Sequence, residues 1–234
     1  MTTTTIQTKL DQAKVLYQAL LEGNLRPLGF ANNELGVSRA LSVIDQALDG
    51  WDNGRALLEN GVPLETINRK IKNAAGRICV LAAQKRYKIL LSGQNNGAPL
   101  SRYVFDELLT AMDRNLNYVH AGRRELEKGS TVDEINRKIK KVENGICLRE
   151  AHETFQTLIA GDFATMMVRC TSPARLLHDL NQCLTRASVD YDILNPSKSA
   201  KGVKRDLRRV VSKAPCGFRK AEYVQKFLLG RADR

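Results

Sequence analysis

Apolar residues recur along this chain at helical spacing. Leu41, Ile44, Leu48 and Trp51 stand 3, 4 and 3 residues apart, and Leu64, Ile67, Ile71, Ala74 and Ile78 continue the same rhythm. That spacing places one narrow apolar stripe along a helix. Two matching stripes follow as Leu109, Met112, Leu116 and Val119, and as Val132, Ile135, Ile139, Val142 and Ile146. Between the stripes lie Asn60-Gly61-Val62-Pro63 in the first case and Lys128-Gly129-Ser130-Thr131 in the second. Glycine ends a helix in left-handed backbone, proline suits the first turn of the next, and Thr131 with Glu134 three residues on is a capping box. No stretch alternates apolar and polar residues as a half-buried strand would. The pattern predicts an all-α chain of long αα-hairpins with coiled-coil-like seams.

The stripes match because the sequence repeats. Ile67–Lys72 and Ile135–Lys140 both read INRKIK at an offset of 68 positions, and Ser38–Gln94 aligns with Asp106–Asp162 without a gap. Shared pairs include Asp45/Asp113, Gly54/Gly122, Arg55/Arg123, Glu59/Glu127, Cys79/Cys147 and Gly93/Gly161. A third, decayed copy follows, in which Leu177, Asn181 and Leu184 keep the register and Val203–Arg208 echoes the six-residue motif. Tyr17–Asn24 resembles Tyr87–Gln94, as half a copy would. The expected organisation is an N-terminal helix and linker over 1–37, hairpin repeats over 38–93 and 106–161, and a degenerate repeat with a basic end over 173–234. A single hairpin cannot bury its own seam, so neighbours must stack or chains must assemble. A homo-oligomer or a subunit of a larger assembly is the expectation.

Composition narrows the function more than it defines it. The 234 residues carry 37 Lys and Arg against 25 Asp and Glu, a net charge of +12. No apolar run reaches the roughly 20 residues of a membrane helix, and the first residues lack the apolar core of a signal peptide. Five cysteines, Cys79, Cys147, Cys170, Cys183 and Cys216, form no CxxC pair, and His120, His152 and His178 form no metal-binding spacing. Reduced thiols packed as small apolar residues, in the cytoplasm or the nucleus, are expected. No nucleophile elbow, phosphate loop or dinucleotide fingerprint occurs. A non-catalytic protein without metal or cofactor is therefore expected.

The positive charge is uneven. Residues 197–234 hold 12 Lys and Arg against 3 Asp and Glu. The second arm of the first hairpin adds Arg69, Lys70, Lys72, Arg77, Lys85, Arg86 and Lys88 against Glu65 alone, whereas the equivalent arm of the second hairpin has equal numbers of each sign. Folding accounts for the repeated seam but asks for no such charge excess. Bases that meet phosphates release counterions and bind polyanions largely without regard to sequence. The candidate nucleic-acid-binding residues are Arg69, Lys70, Lys72, Lys85, Arg86, Lys88, Lys204, Arg205, Arg208, Arg209, Arg219 and Lys220. The expected partner is RNA or single-stranded DNA rather than duplex DNA, the alternative being an acidic protein. The competing function is a structural or adaptor subunit that joins other chains through its seams. Arg55 and Arg123 interrupt the apolar rhythm of the first arms and are expected to pair, buried or half-buried, with Asp45 or Asp113 of a neighbouring arm, the alternative being a repeated inward-facing ligand clamp.

Overall fold

The computed structural model describes residues 3–49, 54–161 and 173–213. The chain is predominantly helical there. Seven α-helices are described: α1 (Thr3–Glu22), α2 (Glu34–Leu48), α3 (Leu64–Ser92), α4 (Arg102–Tyr118), α5 (Val132–Ala160), α6 (Pro173–Ala187) and α7 (Ala200–Val211). Helices α3 and α5 each run 29 residues and begin 68 positions apart, and α7 begins a further 68 on. Among the described residues no helix is long and apolar enough to cross a membrane.

Two compact units divide the chain. Unit 1 comprises Met1–Gly97 with Val104–Lys138, and unit 2 comprises Ala98–Tyr103 with Ile139–Arg234. In unit 1, Ala13, Leu16 and Leu20 of α1 join Val37, Ala40 and Ile44 of α2 and Ile67, Ile71, Ala74 and Ile78 of α3 in one core. In unit 2, Cys147, Ala151, Phe155 and Leu158 of α5 meet Leu177, Leu180 and Leu184 of α6 and Val203, Leu207 and Val211 of α7. The 3–4 spacing of these residues is the reason each helix has one face to bury.

The helix ends follow local chemistry. Thr131 and Glu134 form the expected capping box, the Thr131 amide donating to Glu134 Oε2 at 2.8 Å and the Glu134 amide to Thr131 Oγ1 at 3.2 Å. Gly93 and Gly161 stop α3 and α5 with φ of 66° each, a backbone open to glycine without strain. Helices α4 and α6 stop instead at His120 and Ser188, which take left-handed backbone without being glycine. The next amide then reaches back five residues, Ala121 to Leu116 and Val189 to Leu184.

Those stops change one expectation. The first-arm stripe does not run on to Arg55 and Arg123, because α2 ends at Leu48 and α4 at Tyr118. Both arginines belong to separate 3-10 turns, Gly54–Leu58 and Arg123–Leu126, and a third such turn covers Tyr191–Leu194. Leu58, Leu126 and Leu194 anchor these turns, each 6% exposed or less. Between α3 and α4 lie two two-residue strands, Gln94–Asn95 and Ala98–Pro99. Trp51 lies outside the described residues, as do Cys170 and Cys216.

Candidate nucleic-acid interface

Each of these three 3-10 turns carries one large polar side chain back to the helix before it. Arg55 donates from Nε to Asp45 Oδ1 and from Nη2 to Asp45 Oδ2, both at 2.7 Å, and from Nη1 to Asn68 Oδ1 at 3.2 Å. Arg123 repeats the fork on Asp113 at 3.0 and 2.5 Å and reaches Asn136 Oδ1 at 2.6 Å. The planar guanidinium fits a carboxylate with two parallel bonds, which fixes the turn against α2 or α4. The bond to Asp45 holds the Arg55 pKa above its ordinary value, against the opposing effect of burial. These arginines serve the fold, with most of their donors occupied.

In unit 2 the same sequence positions hold different chemistry. Tyr191, Asn181 and Lys204 stand 68 positions after Arg123, Asp113 and Asn136. The Tyr191 hydroxyl donates to Asn181 Oδ1, and Lys204 Nζ sits 4.7 Å from the centre of the Tyr191 ring. A neutral hydrogen bond and a cation–π contact replace the ion pair. Sequence reasoning kept Asn181 in register but missed that Tyr191 and Lys204 join it. Reading the alignment column by column would have shown all three changing together.

The candidate bases of α3 divide by what they touch. Lys70 donates to both Glu59 oxygens at 2.7 Å, and Glu59 also accepts from the Tyr17 hydroxyl at 3.0 Å. Lys138 Nζ and the Tyr87 hydroxyl hold Glu127 in the same way, at 2.6 and 2.8 Å. Lys70 and then Tyr17 keep the Glu59 carboxyl below its usual range; burial and then the Glu59 bond push Tyr17 up to about 12. Arg86 turns back onto the Ala82 carbonyl at 3.2 Å. Arg69, Lys72, Lys85 and Lys88 are exposed and have no hydrogen bond or ion pair among the described residues. At 1.5 Å per residue Arg69 and Lys88 lie roughly 28 Å apart along the helix, and at 100° per residue Arg69, Lys85 and Lys88 point within a sector of about 160°. Lys72 points roughly 60° to the other side of Arg69, and it lines one cleft with Arg55.

Helix α7 sorts its charges with equal regularity. Val203, Leu207 and Val211 are buried at intervals of four, which leaves Arg205 and Arg209 exposed together one helical turn apart. Lys204 is half-buried against Tyr191, with Asp190 at 3.9 Å, and Arg208 is half-buried and partnered. Asp206 pairs with Lys198 at 2.5 Å, and that bond holds its carboxyl below the usual range. The bases of α3 belong to unit 1 and those of α7 to unit 2. Arg219 and Lys220, with Phe218 and Tyr223 beside them, lie outside the described residues.

Cys79, Cys147 and Cys183 are unpaired and buried, and burial pushes the Cys79 thiol up to about 11. Among the described residues no group of three or more His, Cys, Asp or Glu could hold a metal ion. Comparison with protein-family models, with curated proteins and with solved structures finds no match for this chain.

Proposed function

We propose that this chain is a non-catalytic nucleic-acid-binding helical repeat protein, holding the phosphate backbone of RNA or single-stranded DNA on its exposed bases. It would work in the cytoplasm or nucleus, as three related helix–turn–helix segments behind an N-terminal helix, with a repeat period of about 68 residues. The observation that carries the reading is the contrast within α3. Lys70, whose pairing recurs at Lys138, is neutralised by Glu59, while Arg69, Lys72, Lys85 and Lys88 have no anionic partner among the described residues. Exposed cations left without carboxylates raise the local potential, and phosphates would relieve it. Arg205 and Arg209 add two more bases at a spacing where like charges repel until an anion arrives.

The test is retention on heparin and binding of a labelled oligouridylate across a salt series. Affinity should fall steeply with salt, and K85A/K88A and R205A/R209A should each flatten the slope by about one to two units, at ~0.9 for each phosphate no longer neutralised. Binding indifferent to salt would remove this reading. It would favour the adaptor reading, for which the exposed Val15, Leu35 and Leu81 provide apolar docking points.

A further inference from the structure

Unit 2 contains a carboxylate seat that unit 1 lacks. Glu143 on α5 accepts from Lys140 Nζ at 3.0 Å through Oε2, and from Arg186 Nε at 2.8 Å through Oε1. Lys140 Nζ also donates to the Arg186 carbonyl at 2.9 Å, closing the end of α6. One repeat period earlier stand Lys72, Ala75 and Tyr118. The lysine is retained, but the carboxylate is missing and an aromatic ring replaces the arginine. Around Lys72, Ala75 and Tyr118, the positions that match Lys140, Glu143 and Arg186, unit 1 has a cleft of about 630 Å³.

The cleft is chemically two-sided. Lys72 is exposed and without a hydrogen bond or ion pair among the described residues. His120 and Arg77 stand on the same rim, positions at which unit 2 has Ser188 and Gly145. Arg77 donates one bond to the Leu21 carbonyl, which leaves further N–H groups of its guanidinium available. Beside these bases lie Ile71, Val119 and Tyr118, a residue 40% exposed. A cation rim against an aromatic and aliphatic wall suits a ligand that is anionic at one end and planar at the other.

We infer that this cleft binds one nucleotide, its phosphate seated at Lys72 where unit 2 seats the Glu143 carboxylate, and its base laid against Tyr118. The inference deepens the proposed function and rests on it for the biological ligand. A single nucleotide anchored here would give a bound strand a fixed point, while Arg69, Lys85 and Lys88 on the same helix hold its phosphates without regard to sequence.

The experiment titrates the full chain, labelled with nitrogen-15, with uridine monophosphate and separately with inorganic phosphate. Oligouridylate binding to the same proteins is followed by fluorescence anisotropy. Uridine monophosphate should shift the amides around Lys72, Tyr118 and His120, and more strongly than inorganic phosphate at equal concentration. K72A should weaken mononucleotide binding about tenfold, the worth of a charge-assisted hydrogen bond, and Tyr118→Ala should weaken it comparably. Ala75→Glu restores the carboxylate of unit 2 and should close the site to the mononucleotide. Because Lys72 is exposed, K72A keeps the test intact if Ala75→Glu fails to fold. K88A should weaken oligouridylate binding and leave the mononucleotide untouched. Oligouridylate bound with no shift at the cleft would overturn the site while leaving the proposed function standing. Mononucleotide bound at the cleft without oligouridylate binding would sink the proposed function and keep the site. Inorganic phosphate binding as well as uridine monophosphate would overturn the seat for the base.

Discussion

The turn at Arg123 in unit 1 and the turn at Tyr191 in unit 2 occupy matching sequence positions and close on the preceding helix by different means. The first uses a forked ion pair to Asp113 and a bond to Asn136; the second uses a Tyr191–Asn181 hydrogen bond with Lys204 over the ring. The leucine anchoring each turn, Leu126 or Leu194, is buried in both. A second polar set changes with it. Tyr87, Glu127 and Lys138 hold one another in unit 1, whereas the positions 68 residues on are Phe155, Asn195 and Asp206. In unit 2 Phe155 is a core residue and Asp206 has turned to Lys198. The hydroxyl, the carboxylate and the ammonium all differ at the matching positions. A half-buried charge stripped of its partner costs more than the pair contributes, so single replacements are penalised and complete ones tolerated.

The strongest blow to this comparison targets the part the two regions share. Leu58→Ala, Leu126→Ala and Leu194→Ala should each cost about 2–4 kcal/mol, measured by urea denaturation, because each empties a buried anchor. A negligible cost at one turn would show that the three are not built alike.

Next in size are the polar closures. Asp113→Ala leaves the Arg123 guanidinium without its fork and should cost about 1–2 kcal/mol, the lower part of the range for a stranded charge because both side chains retain about a third of their exposure. Asn181→Ala in unit 2 should cost less, since a neutral hydroxyl is stranded. The triple change Asp113→Asn, Arg123→Tyr and Asn136→Lys should be more stable than Asp113→Asn alone. If it is less stable, the closures are not interchangeable as sets.

A smaller effect separates the tyrosine positions. Tyr87→Phe should lower stability by less than Asp113→Ala, while Phe155→Tyr should bring no gain, because Asn195 stands where unit 1 has Glu127. A stabilised Phe155→Tyr protein would contradict the loss of that set.

The smallest effect is read in acid. Glu59 and Glu127 titrate below their usual range because Lys70 and Lys138, and then the two tyrosine hydroxyls, favour the charged form. Their contribution is complete above the unfolded value of about 4.3 and is lost as the pH falls through the lower folded values. Glu59→Gln and Glu127→Gln should flatten the decline of stability in that window. Unchanged acid profiles in both variants would mean that the two clusters are stabilised by packing alone.

Helix content, the stripes and the capping chemistry were legible in the chain itself, since they depend on neighbours three and four residues away. Thr131 with Glu134, and the glycines at 93 and 161, needed no tertiary partner to be read. That Arg55 and Arg123 pair with aspartates was also legible, because both break an apolar rhythm at matching places; that each takes the aspartate ten residues before it, rather than one from a neighbouring arm, was decided by the turn that folds it back. The end of α4 at Tyr118 was not, since His120 supplies the left-handed stop where the sequence offers no glycine at that position.

The candidate site divides in the same way. The excess of bases on α3 and at the C-terminal end is a property of composition, and the chain alone determines it. Which of those bases remain available was decided only in three dimensions. Lys70 is drawn to Glu59 across 11 residues, Arg86 folds onto its own helix, and Lys204 is held over Tyr191. The cleft beside Lys72 depends on what Ala75 and Tyr118 fail to supply, and that became visible only against the filled seat formed by Glu143. Charge is counted along the chain, but a cation's availability depends on the carboxylates that folding brings within about 3 Å of it.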